Sequence, residues 1–168
     1  GFGVCGNQFP GFAYTDIYSG WGWDWANIWI PQVVSSCHAK GVKVLASLGC
    51  NDDRLINILN DPVMLTQFLS NIVDLLNRYG FDGIDIDWEF WDGYGAPTDS
   101  LVTALYNALN PIGKVITIAC PAPVFNISVT AASKVDLIDV MTYDLDSIER
   151  SWPYLGHSSY ASSVKYMN

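Results

Sequence analysis

Positive charge is scarce in this sequence. Eight Lys and Arg face seventeen Asp and Glu, for a formal net charge of -9. So acidic a chain is repelled by phosphate backbones and anionic lipid, which sets nucleic acid and membrane surfaces aside as expected partners. Long apolar runs are missing too, and none approaches the ~20 residues that span a bilayer. Histidine is limited to His38 and His157, and none of the four cysteines forms a CxxC, so His/Cys metal-ligand spacing is absent. Cys5, Cys37, Cys50 and Cys120 allow three full disulfide pairings, which the sequence does not rank. With the sequon Asn126-Ile127-Ser128 and the low basic count, they lean toward a secreted, extracellular protein, in a mature or trimmed form that starts at Gly1.

Apolar residues, by contrast, make up half of the 168, enough for one domain with a real core over residues 1–168. Seven Trp and nine Tyr are generous for this length. They fill a core or form flat platforms for sugar rings, and composition leaves both open. Trp21, Trp23, Trp25 and Trp29 pose the same choice locally. A short strand is expected near Phe12 to Ile17, then a helix from Asp24 to Ala39 despite Pro31, with Gly41 at its end. The run VKVLASLG (42–49) reads as a strand buried on both faces. Asp61-Pro62 caps a second helix whose wide apolar face is Val63, Leu65, Phe68, Leu69, Ile72, Val73, Leu75 and Leu76, and Gly80 stops it. A third helix is expected over 98–109, capped by Thr98 or Asp99 and closed by Pro111. KVITIAC (114–120) is another buried strand. A short helix over 127–134, a strand VDLIDVMTYD (135–144) and a last segment at 160–167 complete the chain. Strand and helix alternating in this rhythm mean a parallel α/β sheet.

The unusual strand is FDGIDIDWEF, residues 81–90. Four acids, Asp82, Asp85, Asp87 and Glu89, fall within eight positions. Alternate side chains of a strand face opposite sides. Asp85, Asp87 and Glu89 therefore share a face with Phe81 and Gly83, while Ile84, Ile86 and Trp88 pack beneath helices. Asp82 has the wrong parity and is expected to brace the strand's entry. The three carboxylates climb in steps of about 6–7 Å between α-carbons toward the C-terminal strand end, where parallel α/β folds bind ligands. They cannot all ionise cheaply, and a carboxyl pushed upward is a proton donor near neutral pH. Glu89, outermost, is the natural donor; Asp87 can share its proton and Asp85 can hold Asp87. The same row also suits a magnesium or manganese site, or a buried network satisfied by hydroxyls and backbone. The residues alone do not choose among these.

FDGIDIDWEF resembles the DxxDxDxE signature of the family 18 glycoside hydrolases, the chitinases and endo-β-N-acetylglucosaminidases. SLGC (47–50) resembles that family's SxGG, IACPAP (118–123) its strand-five ending and MTYD (141–144) its strand-six motif, all in order. The resemblance implies a (β/α)8 TIM barrel and retaining, substrate-assisted hydrolysis of β-1,4-linked N-acetylglucosamine, in chitin or chitooligosaccharides, without metal or other cofactor. It further implies that Glu89 protonates the glycosidic oxygen while the sugar's acetamide attacks the anomeric carbon. Asp87 would orient that acetamide, Asp85 support Asp87, and Tyr143 hydrogen-bond the acetamide oxygen. Asp144 would bind sugar near the cut and Met141 line the pocket floor. Trp91 and Tyr94, directly after the acid, are expected at the cleft rim in contact with sugar.

Two departures from the family pattern shape the expectations. Cys50 stands at the second glycine of SxGG, which points to a disulfide at that strand end. Only five to six of eight barrel strands are present, so the expected barrel is incomplete. Unpaired strand edges recruit partners, and self-association is an expected consequence. A non-catalytic glycan binder or self-assembling structural protein on the same fold is the alternative to the enzyme.

Overall fold

The computed structural model describes residues 2–3, 22–49, 52–88, 95–121, 126–143, 145 and 158–167. Five parallel strands stand side by side in chain order: β1 (Phe2–Gly3), β2 (Leu45–Leu48), β3 (Gly83–Ile86), β4 (Val115–Pro121) and β5 (Leu137–Met141). Between them run α1 (Gly22–His38), α2 (Asp52–Asn60), α3 (Pro62–Tyr79), α4 (Gly95–Leu109) and α5 (Val129–Ala132), and α6 (Tyr160–Met167) follows β5. Neighbouring strands in unbroken sequence order, each linked by helix, form an arc of a β/α barrel wall rather than a doubly wound sheet. The expected strand at 12–17 lies outside the described residues.

Local chemistry explains the helix ends. Asp61 Oδ1 accepts from the amides of Val63 (2.8 Å) and Met64 (3.1 Å), and Pro62 occupies the first turn of α3, where no donor is needed. Gly80, at φ 74°, closes α3 in the left-handed conformation that glycine adopts at no steric cost. Ser128 Oγ accepts from the Ala131 amide and caps α5. The third helix begins at Gly95, earlier than expected, because Pro97 fits a first turn as well as a loop. Thr98 and Asp99 then lie within it rather than capping it, and Asp99 accepts a hydrogen bond from the Ser128 amide at 3.0 Å. The expected apolar face of α3 is too wide at its start, since Val63 is 79% exposed. Helix α2 is unforeseen. Its nine residues offer only one short buried stripe, Leu55 and Ile58, too brief a pattern to separate from a loop.

The core lies between the sheet and its helices. Ala46 and Leu48 from β2, Ile84 and Ile86 from β3, and Ile116 and Ile118 from β4 are buried against Ile30 and Val34 of α1, Phe68, Ile72 and Leu76 of α3, and Leu101 and Leu105 of α4. Trp88 joins them just beyond β3. Phe81 joins them as well, edge-on to Tyr79 with ring centroids 6.2 Å apart. This corrects its expected place beside the acids: β3 starts at Gly83, so alternation does not reach back to Phe81. No helix among the described residues is long and apolar enough to cross a membrane.

Asp82 braces the foot of β3. Its Oδ2 accepts from the Val44 amide at 2.7 Å and lies 2.8 Å from His38 Nε2, while its backbone bonds to Val44 on one side and Val115 on the other. Burial works against its charge, but the Val44 amide, His38 and Lys114 more than offset that and hold the carboxyl below its ordinary value. Lys114 Nζ in turn donates to the Phe81 carbonyl at 2.7 Å.

Gly83 follows, where β3 and β4 approach closest. A Cβ there would sit 1.9 Å from the Val115 carbonyl oxygen. Backbone cannot yield as a flexible side chain does, so Gly83→Ala is expected to lower stability by about 3 kcal/mol or more, read as a collapsed denaturant midpoint in circular dichroism.

Candidate active site

Parallel register stacks the face opposite the helices in levels. Ser47, Asp85, Thr117 and Leu137 align across β2 to β5 on one level. Asp87 continues β3 upward, its amide donating to Leu48 O at 3.0 Å, and Ala119 aligns with Asp139 on the neighbouring pair. Pro121 aligns with Met141 above. Asp85 and Asp87 are both half-buried, whereas Ile84, Ile86 and Trp88 between and beside them are buried on the helix side. The two aspartates therefore project from the same wall.

Their surroundings differ. Asp85 Oδ1 accepts a hydrogen bond from the hydroxyl of Thr117, a side chain only 7% exposed. Asp87 has its carboxyl pushed upward, by burial first and by the negative charge of Asp85 second. Asp87 is thereby disposed toward its acid form. Two residues beyond β5 the Tyr143 hydroxyl, in a side chain 49% exposed, lies 2.7 Å from Met141 Sδ as donor, so these two meet at the upper end of the wall. Glu89, Trp91, Tyr94 and Asp144 lie outside the described residues. So do Trp21 and the side chains of Trp23 and Trp25, while Trp29 on α1 is half exposed.

Thr117 is the site residue that sequence reading missed. Its signal was present: it is the one hydroxyl within the apolar run VITIA, on the strand next to the acids.

Cys37 and Cys120 are free thiols, which removes every full pairing of the four cysteines; Cys5 and Cys50 lie outside the described residues. The two free thiols sit on different elements. Cys37 closes α1 beside the foot of the sheet, and Cys120 is near the upper end of β4 in the helix-side core. Burial, with the charges of Asp139 and Asp85, pushes the Cys120 thiol up to about 12.

The family model described as glycosyl hydrolases family 18 matches residues 24–166. The chain belongs to that family. Its fold is the TIM barrel, and the five-strand wall is an arc of one. Among curated relatives, a protein named probable chitinase 10 from Drosophila melanogaster is 27% identical, over 84% of this chain and 7% of its own length. Among solved structures, a chitinase from Bacteroides thetaiotaomicron superposes with a TM-score of 0.67 at 26% identity, over 83% of this chain and 45% of that one. Catalytic domain 2 of a Group II chitinase from Ostrinia furnacalis, in complex with penta-N-acetylchitooctaose, gives 0.63 at 28% identity, over 72% of this chain and 37% of its own. The chain thus spans less than half the length of these relatives.

Two outcomes follow from the electrostatics. A raised folded value for Asp87 means that its stabilising contribution is present below the unfolded pKa and lost as pH rises through the folded one. Asp87→Asn should therefore be more stable than wild type at neutral pH, with the gain vanishing in acid, as measured by denaturant midpoints across pH. At pH 8, iodoacetamide should alkylate Cys37 well before Cys120 in the native protein, and both only after unfolding, as read by peptide mass spectrometry.

Proposed function

We propose that this chain carries the hydrolytic wall of a chitinase, cutting β-1,4-linked N-acetylglucosamine in chitin or chitooligosaccharides by the retaining, substrate-assisted route. Glu89 is the general acid and base. It protonates the glycosidic oxygen as the substrate's acetamide carbonyl attacks the anomeric carbon, then activates water against the resulting oxazolinium ion. Asp87 orients the acetamide and balances the positive charge that develops on its nitrogen. Asp85 holds Asp87. Tyr143 donates to the acetamide oxygen, Met141 lines the pocket floor, and Asp144, Trp91 and Tyr94 contact the sugar chain. No metal or cofactor takes part, and the setting is extracellular.

The single observation that carries this reading is the unequal pair of aspartates, one supported by a hydroxyl and the other pushed toward its acid form on the same wall. Like carboxylates with separated proton affinities are the means by which one site supplies both an acid and an anion. Family membership sets the substrate class.

A second reading has its own observation. On β5, Leu137 is 60% and Ile138 38% exposed, so both faces of this strand stand open. An open strand invites another strand or another copy, as in a glycan-binding or self-assembling protein without catalysis.

Hydrolysis of a fluorogenic chitooligosaccharide separates the two. Wild type should release the fluorophore, unaffected by chelator, and Glu89→Gln should lose about 100-fold or more of the rate, the contribution of a positioned general acid. Tight sugar binding without turnover in wild type, or concentration-dependent assembly with no activity, would favour the second reading instead.

A further inference from the structure

Thr117 stands out among the inward-facing residues because its hydroxyl is almost fully enclosed and is spent on one partner, the Oδ1 atom of Asp85. Register fixes the pairing. Thr117 on β4 is the direct neighbour of Asp85 on β3, so the contact needs no long side chain or loop. A hydroxyl that donates to a carboxylate stabilises its anionic form over its acid form. The Asp85 charge is in turn one of the two influences that push Asp87 upward, after burial.

We propose that Thr117 is a positioning residue for the aspartate pair: from the register-matched place on β4 its hydroxyl holds the Asp85 carboxylate, and with it the charge that faces Asp87. The inference deepens the hydrolase reading and rests on it for its catalytic meaning. Asp87 is the carboxyl that meets the acetamide, and a neighbour whose carboxylate is held by a fixed donor keeps the pair in one arrangement.

Few other groups compete for this role. From β2 and the residue just after it, Ser47 and Gly49 bring no charge to the wall. From β4, Ala119 lies beside Thr117's level, and the Cys120 thiol stays neutral. From β5 comes Asp139, in register with Ala119, and beyond the strand's end comes Tyr143. His38, Asp82 and Lys114 sit together at the opposite end of β3, engaged with one another and with backbone. Glu89 follows Asp87 in the chain.

The test is site-resolved titration of the two carboxyl carbons by 13C NMR in wild type, Thr117→Val and Thr117→Ser. In wild type and in Thr117→Ser, Asp87 should carry the higher midpoint. In Thr117→Val that midpoint should fall by about one pH unit, a tenfold change in proton occupancy and the size of one hydrogen bond to a charge, while the Asp85 midpoint rises. Unchanged midpoints in Thr117→Val would overturn the proposal, as would a shift that Thr117→Ser reproduces. Should the valine variant not fold, the wild-type Thr117 hydroxyl proton decides. It should be protected from exchange and move in frequency with the Asp85 titration, and a freely exchanging proton would overturn the proposal. None of these readouts needs turnover. Failure of the hydrolase reading would show as an inactive wild type with the titrations intact; failure of this one would show in the titrations whatever the activity.

Discussion

The two-residue alternation of β3 is the constraint on which everything else hangs. Ile84, Ile86 and Trp88 go to the helices because burial of such side chains is worth about 1.5–3 kcal/mol each. Asp85 and Asp87 are then left with one direction, the inner wall. A slip of one residue would exchange the sets, placing carboxylates in an apolar core and isoleucines in the cleft, and every term would change sign. The hydrophobic effect therefore aims the acids, although it never touches them. Gly83 fixes the register from below, since its backbone contact with Val115 admits no side chain.

The two ends of β3 treat negative charge in opposite ways. At the foot, Asp82 has an amide, an imidazole and a nearby lysine, and its charge is favoured. At the upper end Asp87 meets burial and a like charge, and its charge is resisted. The lower carboxylate ties α1, β2 and β3 together and contributes stability above the ordinary aspartate value of 3.8, lost as pH falls through its depressed folded value. The upper one costs stability at neutral pH. A costly group held by well-satisfied neighbours is what a working site looks like, because reactivity needs a proton placed where solvent would not leave it.

The strands and the larger helices were legible because their signals are local and strong. Asp61-Pro62 and Gly80 bracket α3 where expected, the apolar run at 42–49 contains β2, and that at 114–120 covers all of β4 but its last residue, Pro121. Parity placed Asp85 and Asp87 together without any structure. What escaped were features set by neighbours. Helix α2 packs against α3 and α4 through Leu55, Ile56, Ile58 and Leu59, an apolar face at helical spacing but shorter than the window over which a helix separates from a loop. Phe81 was assigned to the acid wall because alternation was extended past the strand's start, where the chain turns to meet Tyr79. Thr117 could be seen as a lone hydroxyl in an apolar run, but its partner follows only from the β3–β4 register, which one strand's sequence does not contain.

Burial is the first cause of the Asp87 shift and the charge of Asp85 only the second. Both grow as the local dielectric falls, since desolvation penalises the anion and the repulsion between carboxylates is less screened. Whatever covers the inner wall, whether further barrel strands or a bound molecule, therefore pushes Asp87 further toward its acid form. The Thr117 hydrogen bond to Asp85 strengthens in the same dry surroundings. Any cover over the wall thus acts on Asp87 in one direction, and the proton affinity of Asp87 is a property of the covered wall as much as of the strand that bears it.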